Sequence, residues 1–246
     1  MKFLLRLLFF FVLLGALAGF AVFKHPLAVS RFIPSLPSIE RMPLNSEASK
    51  ILKKGTDKLL VPTGRYVMID DMPLSLRQAV VAIEDERFYQ HGGIDFRGIA
   101  RAAVDNLMSQ NFVEGGSTIT QQLARNLFLD PDQTVQRKLT EAFLALQLED
   151  YYQNKNKILE LYLNTIYYGR NAWGIASAAK IYFGIEDVSS LNASQAAFLA
   201  GLPQSPSYYG ANLTAAKNRQ KMVIDKMKQL GYLEDNFVNQ PLQLKP

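Results

Sequence analysis

Hydrophobic positions fall into an apolar block at the N-terminus, a proline-spaced stretch, and then a succession of runs with helical spacing. In the first block Lys2 and Arg6 precede an uninterrupted apolar run from Leu7 to Phe23, and Lys24 and His25 restore polarity. About 17 apolar residues is the short end of what spans a bilayer. The basic flank places the N-terminus in the cytoplasm and the rest of the chain outside it. Ala16-Leu17-Ala18 is a passable cleavage site for a signal peptide, but the apolar run continues past it through Phe20, Val22 and Phe23, which favours a retained anchor. Prolines at positions 26, 34, 37 and 43 predict an irregular stalk. Leu59 to Pro62 and Tyr66 to Ile69, split by Thr63-Gly64, read as short strands or extended segments.

Everything after residue 70 has a helical period. Ser75 and Gln78 form a capping-box pattern, predicting a helix from Leu76 that carries Ala79, Val80 and Ile83 into a core. Glu84, Phe88 and His91 then share one face at i, i+4 and i+7, with Gly92-Gly93 as the stop. Ile94 to Met108 is a basic amphipathic helix, with Ile94, Ile99, Ala102, Ala103 and Leu107 apolar and Arg97 and Arg101 between them; such a helix packs on its own domain or rests on a lipid surface. Thr134 to Glu149 carries an apolar stripe of Val135, Leu139, Ala142, Phe143 and Leu146. Lys157 to Asn164, a capped helix over Leu191 to Gly201 ended by Pro203 and Pro206, and an amphipathic helix over Thr214 to Leu230 with Ala216, Val223, Met227 and Leu230 inward complete a mainly α chain without internal repeats.

Composition narrows the chemistry. A length of 246 residues gives room for one sizeable domain plus an anchor, or for two small domains, and none for a large second catalytic domain. Cysteine is absent and only His25 and His91 exist, which removes disulfides, thiolate nucleophiles and histidine-rich zinc sites. A net charge of +5, from 27 basic and 22 acidic residues, suits anionic lipid or phosphate without demanding nucleic acid, for which no motif appears.

Three stretches carry candidate chemistry. Glu84 stands where an apolar helix runs into a cluster of acids: either the solvated, acidic last turn of an amphipathic helix, or a carboxylate at the core's edge whose charged form is destabilised and basicity raised, as a general base requires. Gly115-Gly116-Ser117-Thr118 leads into a helix containing Gln121, Gln122 and Arg125, either an ordinary hydroxyl-capped helix or a helix N-terminus fit to bind an anion such as phosphate. Arg137, Lys138 and Glu141 form either a surface ion pair or a second carboxylate held by cations. Ser177-Ala178-Ala179-Lys180 matches Ser-x-x-Lys but has no Lys-Thr-Gly partner, and Asp130-Pro131-Asp132 is a lone Asp-x-Asp without a doubly wound pattern.

Together the stretches resemble the peptidoglycan glycosyltransferases: the monofunctional transglycosylases and the glycosyltransferase domains of class A penicillin-binding proteins. The likeness runs from about Leu60 to Gln229 through five ordered motifs: Glu84 to His91, Gly116 to Gln122, Arg137 to Glu141, Ile158 to Asn164, and Gln195-Ala196-Ala197 to Leu202-Pro203. It implies a mainly all-α, lysozyme-like bilobed domain with an N-terminal transmembrane helix. The expected boundaries are 1–24 for the cytoplasmic tip and anchor, 25–58 for the stalk, 59–232 for the domain with a membrane-associated lobe at about 94–114, and 233–246 for a tail.

The resemblance also implies the reaction, polymerisation of lipid II into β-1,4-linked glycan strands with undecaprenyl pyrophosphate as leaving group, by an enzyme of the bacterial plasma membrane whose domain is extracytoplasmic and has no transpeptidase activity. Glu84 is implied as the base acting on the acceptor 4-hydroxyl. Glu141 is implied as the second carboxylate, acting through a pyrophosphate-bound divalent cation, Mg2+ or Mn2+, or by organising nearby bases. Ser117, Thr118, Gln121, Gln122, Arg125, Arg137 and Lys138 are implied as substrate contacts, and Asp85, Phe88 and His91 as residues of the same site that shape it and orient Glu84. Many relatives have lysine at the position of Arg125, and arginine differs from it in reach and hydrogen-bond geometry. The implied partners are lipid II, the lipid-linked strand, the membrane and other cell-wall synthesis proteins. A hydrolytic muramidase and a membrane-tethered scaffold are the rival readings. The first would need no cationic pyrophosphate site, and the second would need neither carboxylate.

Overall fold

The computed structural model describes residues 66–109, 116–129 and 135–245, with the paired segments 52–53 and 61–62. The expected anchor, nearly all of the stalk and the far end of the expected membrane-associated lobe lie outside the described residues. No helix among the described residues is long and apolar enough to cross a membrane.

The described chain is mostly helical. Strands β1 (Leu52–Lys53) and β2 (Val61–Pro62) pair antiparallel, Leu52 opposite Pro62. The helices are α1 (Leu74–Glu84), α2 (Phe96–Ser109), α3 (Ile119–Phe128), α4 (Val135–Tyr152), α5 (Lys155–Thr165), α6 (Ile175–Phe183), α7 (Ala193–Gly201), α8 (Pro206–Ala211) and α9 (Leu213–Gln229). Two packing groups build the core. Helix α7 lies against α1 and α9, and α3 lies against α4 and α5. Large fully buried rings, Tyr162, Tyr168, Tyr182, Phe88 and Phe198, fill the space between elements, with Tyr182 and Phe198 edge to face at 5.6 Å. Each such side chain contributes roughly 1.5–3 kcal/mol by leaving water.

Three local expectations differ from the structure. Helix α1 starts at Leu74 behind Pro73, which makes no side-chain cap, so Ser75 lies inside the first turn. The Pro73 carbonyl accepts the Leu76 and Arg77 amides at 3.0 and 3.3 Å, which opens the helix without a side-chain cap. Helix α1 also ends at Glu84: Asp85 takes an extended φ of −161°, and Phe88–Gln90 is a separate 3-10 turn. Glu84, Phe88 and His91 therefore do not share a helical face. In α4 the inward stripe is Glu141, Leu144, Ala145 and Leu148, while Leu139 is 62% exposed. A carboxylate occupies a position that the hydrophobic pattern assigned to the surface, and the helix is turned accordingly.

Side-chain hydrogen bonds tie the chain's entry and exit to this core. The Tyr66 hydroxyl and the Ile69 amide donate to the Glu160 carboxylate at 2.6 and 2.8 Å, and Asn164 exchanges hydrogen bonds with both backbone groups of Val67. Burial alone would raise the Glu160 pKa, but Lys157, Tyr66 and the Ile69 amide outweigh it and hold the carboxyl below its usual range. The segment read as a C-terminal tail packs along the domain: the Gln240 amide donates to Ser194 Oγ, the Lys245 amide to the Tyr182 carbonyl, and Leu242 and Leu244 rest on the core.

Candidate active site

Glu84 owes its position to a helix that stops. Leu76, Ala79, Val80, Val81 and Ala82 anchor α1 in the core, so its last residue is delivered to the boundary of that core. There Gln122 Nε2 donates to Glu84 Oε2 at 2.7 Å, and the buried Tyr162 hydroxyl donates to Gln122 Oε1 at 3.1 Å. The amide is thereby fixed with its nitrogen toward the carboxylate. Burial pushes the Glu84 carboxyl above the ordinary range; the Gln122 hydrogen bond and the charges of Arg219 and Arg125 oppose this, and Asp85 adds to it. The raised basicity expected from the sequence is present, with burial as its largest cause; Phe88 is turned into the core beneath the Lys155 ammonium.

Asp85 turns the opposite way from Glu84. One oxygen accepts the Ile119 amide at 3.1 Å and the other meets His91 Nε2 at 2.7 Å, while His91 Nδ1 lies 2.6 Å from the Gly92 carbonyl. Burial lowers the His91 pKa, but the hydrogen bond to Asp85 and its charge more than offset this and the imidazole is raised. Thr118 caps α3 in a reciprocal box with Gln121, worth about 1 kcal/mol. Its hydroxyl also donates to the Gly93 carbonyl at 2.7 Å. The N-terminus of α3 is thus already filled by the protein's own Asp85 carboxylate and by the Thr118 cap. The open anion site read from the glycine-rich entry is a joint between the first two motifs.

A second carboxylate sits on α4. Glu141 is completely buried, with Lys138 on Oε1 and Arg137 Nη1 3.3 Å from Oε2. Lys138 also donates to Ser117 Oγ at 2.9 Å, which joins this trio to the second motif. Asp85, His91 and Asp95 form another close cluster of polar side chains. There Asp95 is engaged by Arg87 and the Gly98 amide, and Asp85 by the Ile119 amide, so the group is a hydrogen-bonded brace.

A cleft of about 550 Å3 opens beside Glu84. Of the residues expected at the site it brings together Glu84, Asp85, Ser117, Thr118, Gln122 and Arg125. Arg137, Lys138 and Glu141 do not line it; Lys138 is joined to it by its hydrogen bond to Ser117. Phe88, fully enclosed, and Gln121, buried in its cap, do not line it; their contribution is to pack and to cap. Sequence reasoning missed Arg219, Gln204, and the Glu86 carboxylate that pairs with both Arg101 and Lys226 across the cleft. Arg219 had one available signal: a cation on the same α9 face as Ala216 and Val223.

Gly93 explains how tightly this region is built. A Cβ there would stand 2.6 Å from the Ala145 backbone. Gly93→Ala is expected to push the loop away from α4 and break the Thr118 bond. It should cost about 1–3 kcal/mol by overpacking, read as a fall in melting temperature together with lost activity. An unchanged melting temperature would refute this.

Residues 56–228 match the family model described as Transglycosylase. The chain is 42% identical over 224 residues to penicillin-binding protein 1A of Neisseria lactamica, covering 88% of this chain and 28% of that protein. It is 39% identical to penicillin-binding protein 1A/1B of Bacillus subtilis, over 97% of this chain and 26% of the other, and 40% identical to penicillin-binding protein 2D of the same organism, over 96% and 35%. It therefore spans about a quarter to a third of the length of these relatives. A crystal structure of penicillin-binding protein 1A from Haemophilus influenzae aligns with 76% of this chain and 20% of its own at a TM-score of 0.42 and 22% identity. With most of its length matched by that family model, and with residues of the first, second and fifth motifs lining one cleft, the chain belongs to the transglycosylase family, the peptidoglycan glycosyltransferase domains of class A penicillin-binding proteins.

Proposed function

We propose that this chain polymerises lipid II into β-1,4-linked glycan strands with inversion at the donor's anomeric carbon, as a membrane-anchored enzyme working on the outer face of the bacterial plasma membrane. The observation that carries the reading is Glu84: a half-buried carboxylate of raised basicity, held by Gln122 at the wall of a cleft that also presents Arg125. Glu84 takes the proton of the acceptor 4-hydroxyl as that oxygen forms a bond to the donor MurNAc C1. The bond from C1 to the phosphate oxygen breaks, and undecaprenyl pyrophosphate leaves with the electron pair. Arg125, with Arg137 and Lys138 beyond Ser117, supplies positive charge where the leaving group becomes more negative.

Two roles were expected for Glu141. A divalent cation would neutralise charge on the pyrophosphate, but the residues around Glu141 do not fit direct ligation, because both carboxylate oxygens are already occupied by Lys138 and Arg137. The geometry supports the other role, organisation of those two cations. A cation carried in by the pyrophosphate itself is left to the substrate's own oxygens. The proposal includes no transpeptidase activity for these residues: the Ser177-x-x-Lys180 pair lies on α6, where Lys180 pairs with Glu186.

The test is incubation of the full-length protein in detergent with labelled lipid II, with products resolved by length. Long glycan strands are expected. Shortening of preformed strands without polymer from lipid II would transfer the assignment to a muramidase, and inactivity in both assays would favour a scaffold.

A further inference from the structure

Arg219 belongs to none of the five motifs, yet it stands in the wall of the cleft that holds Glu84. It leaves α9 three residues after Ala216 and four before Val223, both buried, so its stem runs along the inward face of the helix. That stem crosses Gly201 of α7, where a Cβ would lie 2.9 Å from Arg219 Cγ. Gly201 has ordinary helical angles, φ −78° and ψ −20°, so no backbone requirement calls for glycine there. The missing side chain makes room for the arginine.

The other cations of the cleft wall are placed differently. Arg101 and Lys226 are taken by Glu86, and Arg125 comes from the second motif. Arg219 has no carboxylate paired with it among the described residues, and its Nε is enclosed without a hydrogen-bond partner. An arginine whose Nε is enclosed without an acceptor is unfavourable unless its charge is used through space.

We propose that Arg219 is a positioning residue for Glu84: seated across Gly201, its guanidinium supplies the charge that keeps Glu84 in its proton-accepting form. The inference rests on Glu84 being the base. The charged and titratable groups that face Glu84 are Asp85 from its own turn, Arg125 from α3, Tyr162 from α5, Tyr168 from the loop beyond it, and Arg219 from α9. Helix α7, packed against both α1 and α9, contributes no titratable side chain. Further along α9, Lys226 is tied to Glu86 and Asp225 is exposed at the cleft rim. Burial acts first on Glu84 and raises it; against that stand the Gln122 hydrogen bond and then Arg219, ahead of Arg125.

The experiment measures kcat/KM for lipid II polymerisation against pH for the full-length wild type, Arg219→Gln, Arg219→Lys and Gly201→Ala. The acid limb of that profile reports the base in the free enzyme. In Arg219→Gln it is expected to move upward by about one pH unit, since one nearby opposite charge is gone. Arg219→Lys keeps the charge without the guanidinium fork and should return most of the shift. Gly201→Ala should move the limb in the same direction by less, because the stem is displaced and not removed. An Arg219→Gln profile with an unmoved acid limb overturns the proposal, whether KM for lipid II rises, marking a substrate contact, or nothing changes. If Arg219→Gln melts early, the same comparison is carried by Arg219→Lys and Gly201→Ala. A wild type that makes no polymer would instead sink the functional reading itself, before any variant is compared.

Discussion

Glu84→Gln is expected to abolish polymerisation while leaving the fold in place. Loss of a positioned general base costs typically about 10²–10⁴-fold in rate, and the amide has the carboxylate's shape and still accepts the hydrogen bond from Gln122 Nε2. The variant should be no less stable than the wild type at neutral pH, and the sign follows from linkage. The Glu84 carboxyl is raised in the folded state above its ordinary value of 4.5. Below that value both states are protonated and the carboxyl does not affect stability. As the pH rises through it, the unfolded chain releases its proton first, so the wild type loses stability until the pH passes the folded value. Each pH unit between the two values amounts to about 1.4 kcal/mol. The amide does not titrate. The melting temperature of Glu84→Gln relative to wild type should therefore climb over that interval and level off above it. Full polymerase activity in the variant would place the base elsewhere. An early-melting variant would show that the carboxylate is structural.

The helices and the neighbourhood of Glu84 were legible because they depend on local pattern. The run from Ala79 to Ile83 buries itself wherever α1 is docked, and a carboxylate immediately after it must meet the core's edge. The capped α7 behaved likewise, with Asn192 and Gln195 forming the reciprocal box that a local signature can reveal. What the pattern hid were partnerships across long sequence distances. Helical spacing made Phe88 and His91 look like continuations of the Glu84 face. Asp85, however, is bonded to the Ile119 amide 34 residues away, and this draws the chain out of the helix. The same bond removes the open anion site that the glycine-rich entry advertises. In α4 the hydrophobic stripe, read from apolar residues alone, took in Leu139 and left out Glu141; with two cations to receive it the carboxylate goes inside and Leu139 goes out. Arg219 was silent for a related reason, since its role depends on a space left by Gly201 in a different helix.

Glu141→Gln should have the second largest effect, and its pattern separates the two roles proposed for this carboxylate. Glu141 is completely buried and receives Lys138 on one oxygen and Arg137 on the other. The amide keeps the volume but can no longer hold both cations by charge. Lys138, 47% exposed, will rehydrate. The stability cost should therefore stay near 1–3 kcal/mol, below the roughly 3–5 kcal/mol for stranding a buried ion. Activity should suffer more, because Lys138 also fixes Ser117 at the cleft and both cations would stop being aimed where leaving-group charge develops. Removing one such preorganised donor typically costs about 10²–10³ in kcat. If Glu141 organises cations, the Mg2+ or Mn2+ concentration giving half-maximal rate should be the same in wild type and variant, and excess metal should restore nothing. Lys138→Ala added to Glu141→Gln should then cost little more than either change alone, since both break one unit. A half-maximal metal concentration displaced by more than about tenfold, with kcat recovered at high metal, would instead make Glu141 a ligand. In the free protein such a ligand would first have to release Lys138 or Arg137 before it could bind.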